Sequence, residues 1–193
     1  MKKIIPILFL MLFSVASAQT TENSNPDTQY GAGAIQIDKN GKISFSESIN
    51  AEGLTANEIN TRVTNWFNRR FKEPTIIGAK KYESTTPGSL DAKVEEYIVF
   101  KKKALVLDRS RISYILNITS NDGVCNFKMS RITYLYDEEA PEGAMHMKAE
   151  EWITDKEALN KKGKLKRFPG KFRRKTIDLK NQLIDELKNE LTK

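Results

Sequence analysis

Apolar positions recur along this chain with two spacings, and each predicts a different kind of element. Between residues 55 and 71, Ile59, Val63, Trp66, Phe67 and Phe71 fall within roughly 140° of one another at the helical 100° per residue. Thr55 and Glu58 have the spacing of a capping box, in which each side chain satisfies a backbone N–H near the other, and Leu54 and Ile59 stand where a hydrophobic staple forms. The pattern predicts a one-faced helix over 55–71 that ends near Glu73-Pro74. Residues 75–82, 91–100, 111–120 and 124–136 read instead as strands. The first two are separated by the turn-rich Ser84-Thr85-Thr86-Pro87-Gly88, and the last two are joined around Asp122-Gly123, a favoured hairpin turn. Ahead of the helix, Ile35, Ile37, Ile43 and Phe45 flank Asn40-Gly41, another hairpin signal.

The Asp122-Gly123 turn fixes a register that can be tested against the side chains. Ile118 faces Phe127, Leu116 faces Met129, Tyr114 faces Arg131 and Ile112 faces Thr133 on a mainly apolar side. On the other side Thr119 meets Asn126, Asn117 meets Lys128 and Ile115 meets Ser130. An antiparallel sheet covered on one face produces this contrast. A second cover comes from the tail, where Phe172, Ile177, Leu179, Leu183, Ile184, Leu187 and Leu191 occupy roughly 160° of a helix over 171–191. Lys180 falls inside that arc and must run its ammonium outward. Residues 137–160 read as an acidic, irregular linker with a short helix near 155–160. Residues 19–33 carry too little apolar surface to offset the entropy of ordering and read as a disordered leader. The expected fold is therefore α+β, an antiparallel sheet of about five strands with two helices on one face, as a single domain over 34–193.

Three stretches resemble a family of exported Bacteroidetes proteins known as a domain of unknown function with a TATA-binding-protein-like (TBP-like) fold. They are Gly41-Lys42-Ile43-Ser44-Phe45, Asn65-Trp66-Phe67, and the Tyr114 strand running through Asp122-Gly123 into its partner. The segment from Trp152 through Lys171-Phe172-Arg173-Arg174-Lys175 is similar to the tail of longer members. The resemblance covers about 43–136 and implies the β-α-β4-α order with both helices on one side of an open sheet. It implies no activity, cofactor or site residue, and its structural name implies no DNA binding.

Composition alters this picture at the ends of the chain. Lys2 and Lys3, the apolar run over 4–13 and Ala16-Ser17-Ala18 have the three parts of a secretory signal peptide, so cleavage is expected after Ala18. The expected product is soluble, in the periplasm or outside the cell. The lone Cys125 permits no internal disulfide. The formal net charge is +7, and the basic excess is concentrated in residues 161–175, where nine Lys or Arg stand without an acid. Two readings compete for that stretch. Lys166, Arg167, Arg173 and Arg174 could dock on an anionic membrane surface, or the stretch could pair with the eight acids of 137–157. Pairing is the expectation, because charge runs are usually neutralised or solvated.

Candidate chemistry is sparse. Met145-His146-Met147 offers soft copper ligands, but an extended backbone turns both Met side chains away from His146, and no metal is expected. Cys125 shares the parity of Phe127 and Met129 and is expected in the core. No phosphate loop, His-Glu-x-x-His motif or paired-cysteine spacing is present. No catalytic residue or cofactor is therefore assigned. The expected function is a binding module of the cell envelope whose partner is a protein, peptide or glycan rather than nucleic acid. Its candidate surface is the uncovered sheet face bearing Ile115, Asn117, Lys128, Ile132 and Tyr134. The alternative is a hydrolase using a pair of carboxylates.

Overall fold

The computed structural model describes residues 28–193 except positions 73, 75, 85, 104 and 105. The expected signal peptide and residues 19–27 of the expected leader lie outside the described residues. In chain order the elements are β1 (Ser44–Asn50), α1 (Ala56–Arg70), β2 (Ile76–Tyr82), β3 (Ser89–Lys103), β4 (Val106–Asn121), β5 (Val124–Tyr136), β6 (Met145–Lys148), α2 (Ala149–Trp152), α3 (Asp155–Ala158) and α4 (Arg167–Leu191). All strand pairs are antiparallel, in the order β1-β5-β4-β3-β2. The free side of β5 is shared, because β1 pairs with its first half and β6 with Thr133 to Tyr136.

α1 begins as its capping box dictates. The Thr55 backbone N–H donates to Glu58 Oε2 at 2.8 Å, and the Glu58 N–H donates to Thr55 Oγ1 at 3.3 Å. This reciprocal satisfaction of otherwise orphaned donors also holds the Glu58 carboxyl below its usual range. The helix lays Ile59, Val63, Trp66 and Phe67 on the sheet and on α4. Trp66 is buried, and its Nε1–H donates to Glu186 of α4 at 3.1 Å. α4 buries Phe172, Ile177, Leu179, Leu183, Ile184, Leu187 and Leu191, the predicted arc. Lys180 lies over the Phe45 ring at 5.9 Å, and burial of its stem lowers its ammonium pKa.

The α+β fold is the expected one, and three expectations of detail are corrected. Met145–Lys148, read as linker, pairs with β5 as a sixth strand of the sheet. The rest of the acidic segment is also less irregular than expected, carrying α2 and α3. The described part of the leader is ordered: Thr28–Tyr30 forms a 3-10 turn, and Tyr30 is buried with its hydroxyl donating to Asp178 at 2.6 Å. The hairpin register holds only near its turn. Ile118↔Phe127, Leu116↔Met129 and Ile115↔Ser130 pair as expected, but the next pairs are Ser113↔Thr133 and Ile112↔Tyr134. A β-bulge sets Tyr114 against both Arg131 and Ile132, and Arg131 takes a left-handed φ of 53° to accommodate the extra residue. One residue of slip moves every later side chain to the other face. Ile132 and Tyr134 therefore lie in the core.

That core also holds two separate clusters with buried charges. Beneath α1, the Arg70 guanidinium donates to Glu96 Oε2 at 3.0 Å, and the Tyr114 hydroxyl donates to Glu96 Oε1 at 2.5 Å, all three side chains being buried. Burial, reinforced by the Glu96 charge, raises the Tyr114 hydroxyl pKa well above its ordinary value and keeps it a proton donor. On α4, Arg173 is 0% exposed. Its guanidinium donates to the carbonyls of Tyr30 (2.7 Å), Ile153 (2.8 Å) and Gly31, and pairs with Asp155 at 2.8 Å. One side chain thereby ties the N-terminal turn and the α2–α3 segment to the last helix.

Candidate binding face

All four helices pack on the same side of the sheet as the buried strand residues. The opposite face presents the alternate residues: Asp91, Lys93, Glu95 and Tyr97 of β3, Arg111, Ser113, Ile115, Asn117 and Thr119 of β4, and Asn126, Lys128, Ser130 and Thr133 of β5. Near the Asp122-Gly123 turn these groups satisfy one another. Asn117 Nδ2 donates to Asp91 at 2.7 Å, and Ser48 Oγ donates to Asn126 at 2.8 Å. A tight polar ladder of this kind leaves little to offer a ligand.

Beyond the bulge the face opens into a depression of about 580 Å³. Its floor is built by the cross-strand row Glu95, Ser113, Thr133 and Lys148, one residue from each of β3, β4, β5 and β6. Lys93, Arg111, His146 and Glu151 complete its walls. The added β6 deepens the face at this end, and the bulge turns Thr133 outward to form the floor. Of the lining carboxylates, Glu95 accepts from Arg111 at 3.4 Å and Glu151 pairs with Lys148 at 3.6 Å. Arg111 also bonds Glu138. A second depression follows, with Arg109 stacked on Tyr97 at 3.8 Å from the ring centroid.

The sequence-derived candidates do not form one surface. Ile115, Asn117 and Lys128 lie on the open face, where Asn117 and Lys128 are direct cross-strand partners. Ile132 and Tyr134 do not: the bulge sends both inward, and the Tyr134 hydroxyl bonds Thr176 of α4 at 2.7 Å. The four basic candidates belong to the helical layer. Lys166 and Arg167 are exposed, Arg174 lies over the Tyr30 ring, and Arg173 is buried and unavailable to any partner. Of the strand residues that line the depression, Lys93, Glu95, Arg111, Ser113, Thr133 and Lys148 are not among the sequence candidates; Tyr134 is, and it also borders the depression, while His146 is weighed from sequence only as a metal ligand. Strand parity was the available signal for Lys93, Glu95, Arg111 and Ser113.

The expected pairing of the basic and acidic segments is also corrected. Arg173–Asp155 is an ion pair that links them. Lys171 goes elsewhere, bonding Asp108 at 2.9 Å inside a ring of Phe100, Tyr136 and Phe168. Trp152 packs edge-on against Phe168 at 5.3 Å. Within β6, Met147 is buried while His146 is exposed on the depression, so the Met-His-Met side chains diverge. Among the described residues, no group of three or more His, Cys, Asp or Glu is arranged to hold a metal ion. Cys125 is buried, and burial raises its thiol to about 11.

Comparison with known proteins agrees with this architecture. The family described as a domain of unknown function (DUF4468) with TBP-like fold matches residues 45–135. The crystal structure of a DUF4468 family protein from Bacteroides ovatus is 34% identical, with a TM-score of 0.76 over 86% of this chain and 94% of that one. A TBP-like protein from Parabacteroides distasonis is 20% identical, with a TM-score of 0.65 over 80% of this chain and 96% of that one, a likeness of fold. A search of curated proteins finds no match.

Proposed function

Since the chain belongs to the DUF4468 family, which is described by its TBP-like fold and an unknown function, we propose that it is an exported, non-catalytic binding module of the cell envelope. In this reading it docks a polar segment of a peptide or glycan on the open sheet face. The observation that carries the reading is the depression of about 580 Å³ beside β6. Its size falls in the usual range of ligand sites, roughly 300 to 1,000 Å³. Hydroxyls from Ser113 and Thr133, amines from Lys93 and Lys148 and the His146 imidazole converge there on rigid strands. Such a set both donates and accepts hydrogen bonds, which suits a polar chain. A reaction is less well supported. Both lining carboxylates are engaged by cations, and among the described residues no hydrogen bond joins His146 to Ser113 or Thr133, the contact a nucleophile and its base require. Export is supported by the n-region, apolar run and Ala16-Ser17-Ala18 of the leader.

The test is a nitrogen-15 NMR titration with separate peptide and glycan fractions of the envelope. Saturable shifts are expected at the amides of Lys93, Ser113, Thr133, His146 and Lys148. The double variant Ser113→Leu/Thr133→Leu should weaken binding by about tenfold, the worth of one or two lost hydrogen bonds. Shifts confined to α1 and α4 would contradict the reading, and time-dependent breakdown of an added fraction would favour the carboxylate hydrolase instead.

A further inference from the structure

Five exposed cations stand within seven residues of one another, on a short hairpin and the helix start that follows it. Residues 159–165 form a small hairpin closed by an antiparallel Leu159↔Leu165 bridge. The Asn160 side chain accepts from the N–H groups of Lys162 (2.9 Å) and Lys164 (3.1 Å), and Gly163 takes the left-handed φ of 72° that the tip requires. The base is pinned as well. The Lys166 N–H donates to the Ala158 carbonyl at 2.8 Å, and Leu165 packs so closely on Gly170 that a Cβ there would lie 2.9 Å from the Leu165 Cβ. Lys161, Lys162, Lys164, Lys166 and Arg167 are all exposed on this scaffold, and among the described residues no ion pair joins any of them to an acid. Lys156 stands alongside, with Glu157 as its ion-pair partner.

We infer that this hairpin is a docking element for anionic lipid surfaces. Five like charges held on the hairpin and the adjoining start of α4 repel one another, and a facing layer of negative headgroups relieves that repulsion without any ordering of the loop. Its cations are exposed and none of its residues lines the depression of the open face, so the charge is offered to an extended anionic surface and not to a ligand in that depression. Lipid is favoured over nucleic acid because the chain is read as exported, and the inference rests on that part of the proposed function. No described helix is long and apolar enough to cross a membrane, so the contact would be a surface one, driven by charge.

The protein as its cells produce it should sediment with vesicles of phosphatidylcholine containing one part in three of phosphatidylglycerol. It should not sediment with phosphatidylcholine alone. Binding should fall steeply between about 0.05 M and 0.5 M salt, as the screening length shrinks. Replacing Lys161, Lys162, Lys164, Lys166 and Arg167 by Gln should reduce partitioning by at least about tenfold with an unchanged unfolding midpoint. Equal sedimentation of the variant, binding to neutral vesicles, or retention on heparin without vesicle binding would each overturn the inference. Signal-peptide cleavage, read by N-terminal sequencing of the same preparation, tests the export reading separately.

Discussion

Glu96→Ala is expected to lower the stability of the fold by about 3 to 5 kcal/mol, read from denaturant unfolding. The substitution removes the carboxylate that the buried Arg70 and Tyr114 share, leaving the Tyr114 hydroxyl without its acceptor and the Arg70 guanidinium with Glu186, 3.3 Å from its Nε, as its remaining ion-pair partner. The size of the loss reflects that exposed debt of desolvation and not the net strength of the pair. Replacing the group as a whole should show this. Arg70→Met, Glu96→Leu and Tyr114→Phe together should recover most of the loss, since a well-packed apolar set avoids the desolvation altogether. A single-variant loss below about 1 kcal/mol would mean that Glu186 or water compensates the Arg70 charge.

Arg173→Ala is expected to have an effect of similar size, about 3 to 5 kcal/mol, with a different signature. Its guanidinium serves carbonyls of Tyr30, Gly31 and Ile153 and the Asp155 carboxylate. Two of these carbonyls lie on the N-terminal turn, which can peel away and find water when the guanidinium is gone. Amide hydrogen exchange should therefore quicken first at residues 31–34 and 153–158, ahead of β3 and β4. Uniform quickening across the sheet, with the N-terminal turn no faster than the rest, would contradict this division of labour.

Local chemistry made much of the fold legible. The capping box located the start of α1, the Asp122-Gly123 turn located β4 and β5, and a broad apolar arc located α4. Each is a short-range signal in which neighbouring residues satisfy one another. The bulge was harder because a turn fixes register only until a residue is inserted. Its trace was nevertheless present, as the apolar parity runs through Cys125, Phe127 and Met129 and then changes to Ile132 and Tyr134. Following that change would have moved both residues from the candidate face to the core and brought Thr133 outward. β6 was missed because four residues in an acidic, turn-rich stretch carry too little pattern to register as a strand. The charges of Glu96, Arg70 and Arg173 resemble surface charges in sequence, and only the tertiary packing supplies the partners that let them be buried. The depression escaped notice for the same reason: it joins β3, β4, β5 and β6, separated in the chain and adjacent only in the folded sheet.

The proposed use of the open face is tested most directly by photo-crosslinking in the cells that make the protein. A benzophenone side chain placed at Thr133, on the floor of the depression, is compared with one at Gln182, exposed on α4. A discrete adduct is expected from position 133 and none from position 182. An adduct from 182 alone, or equal adducts from both, would contradict the assignment of the open sheet face as the docking surface.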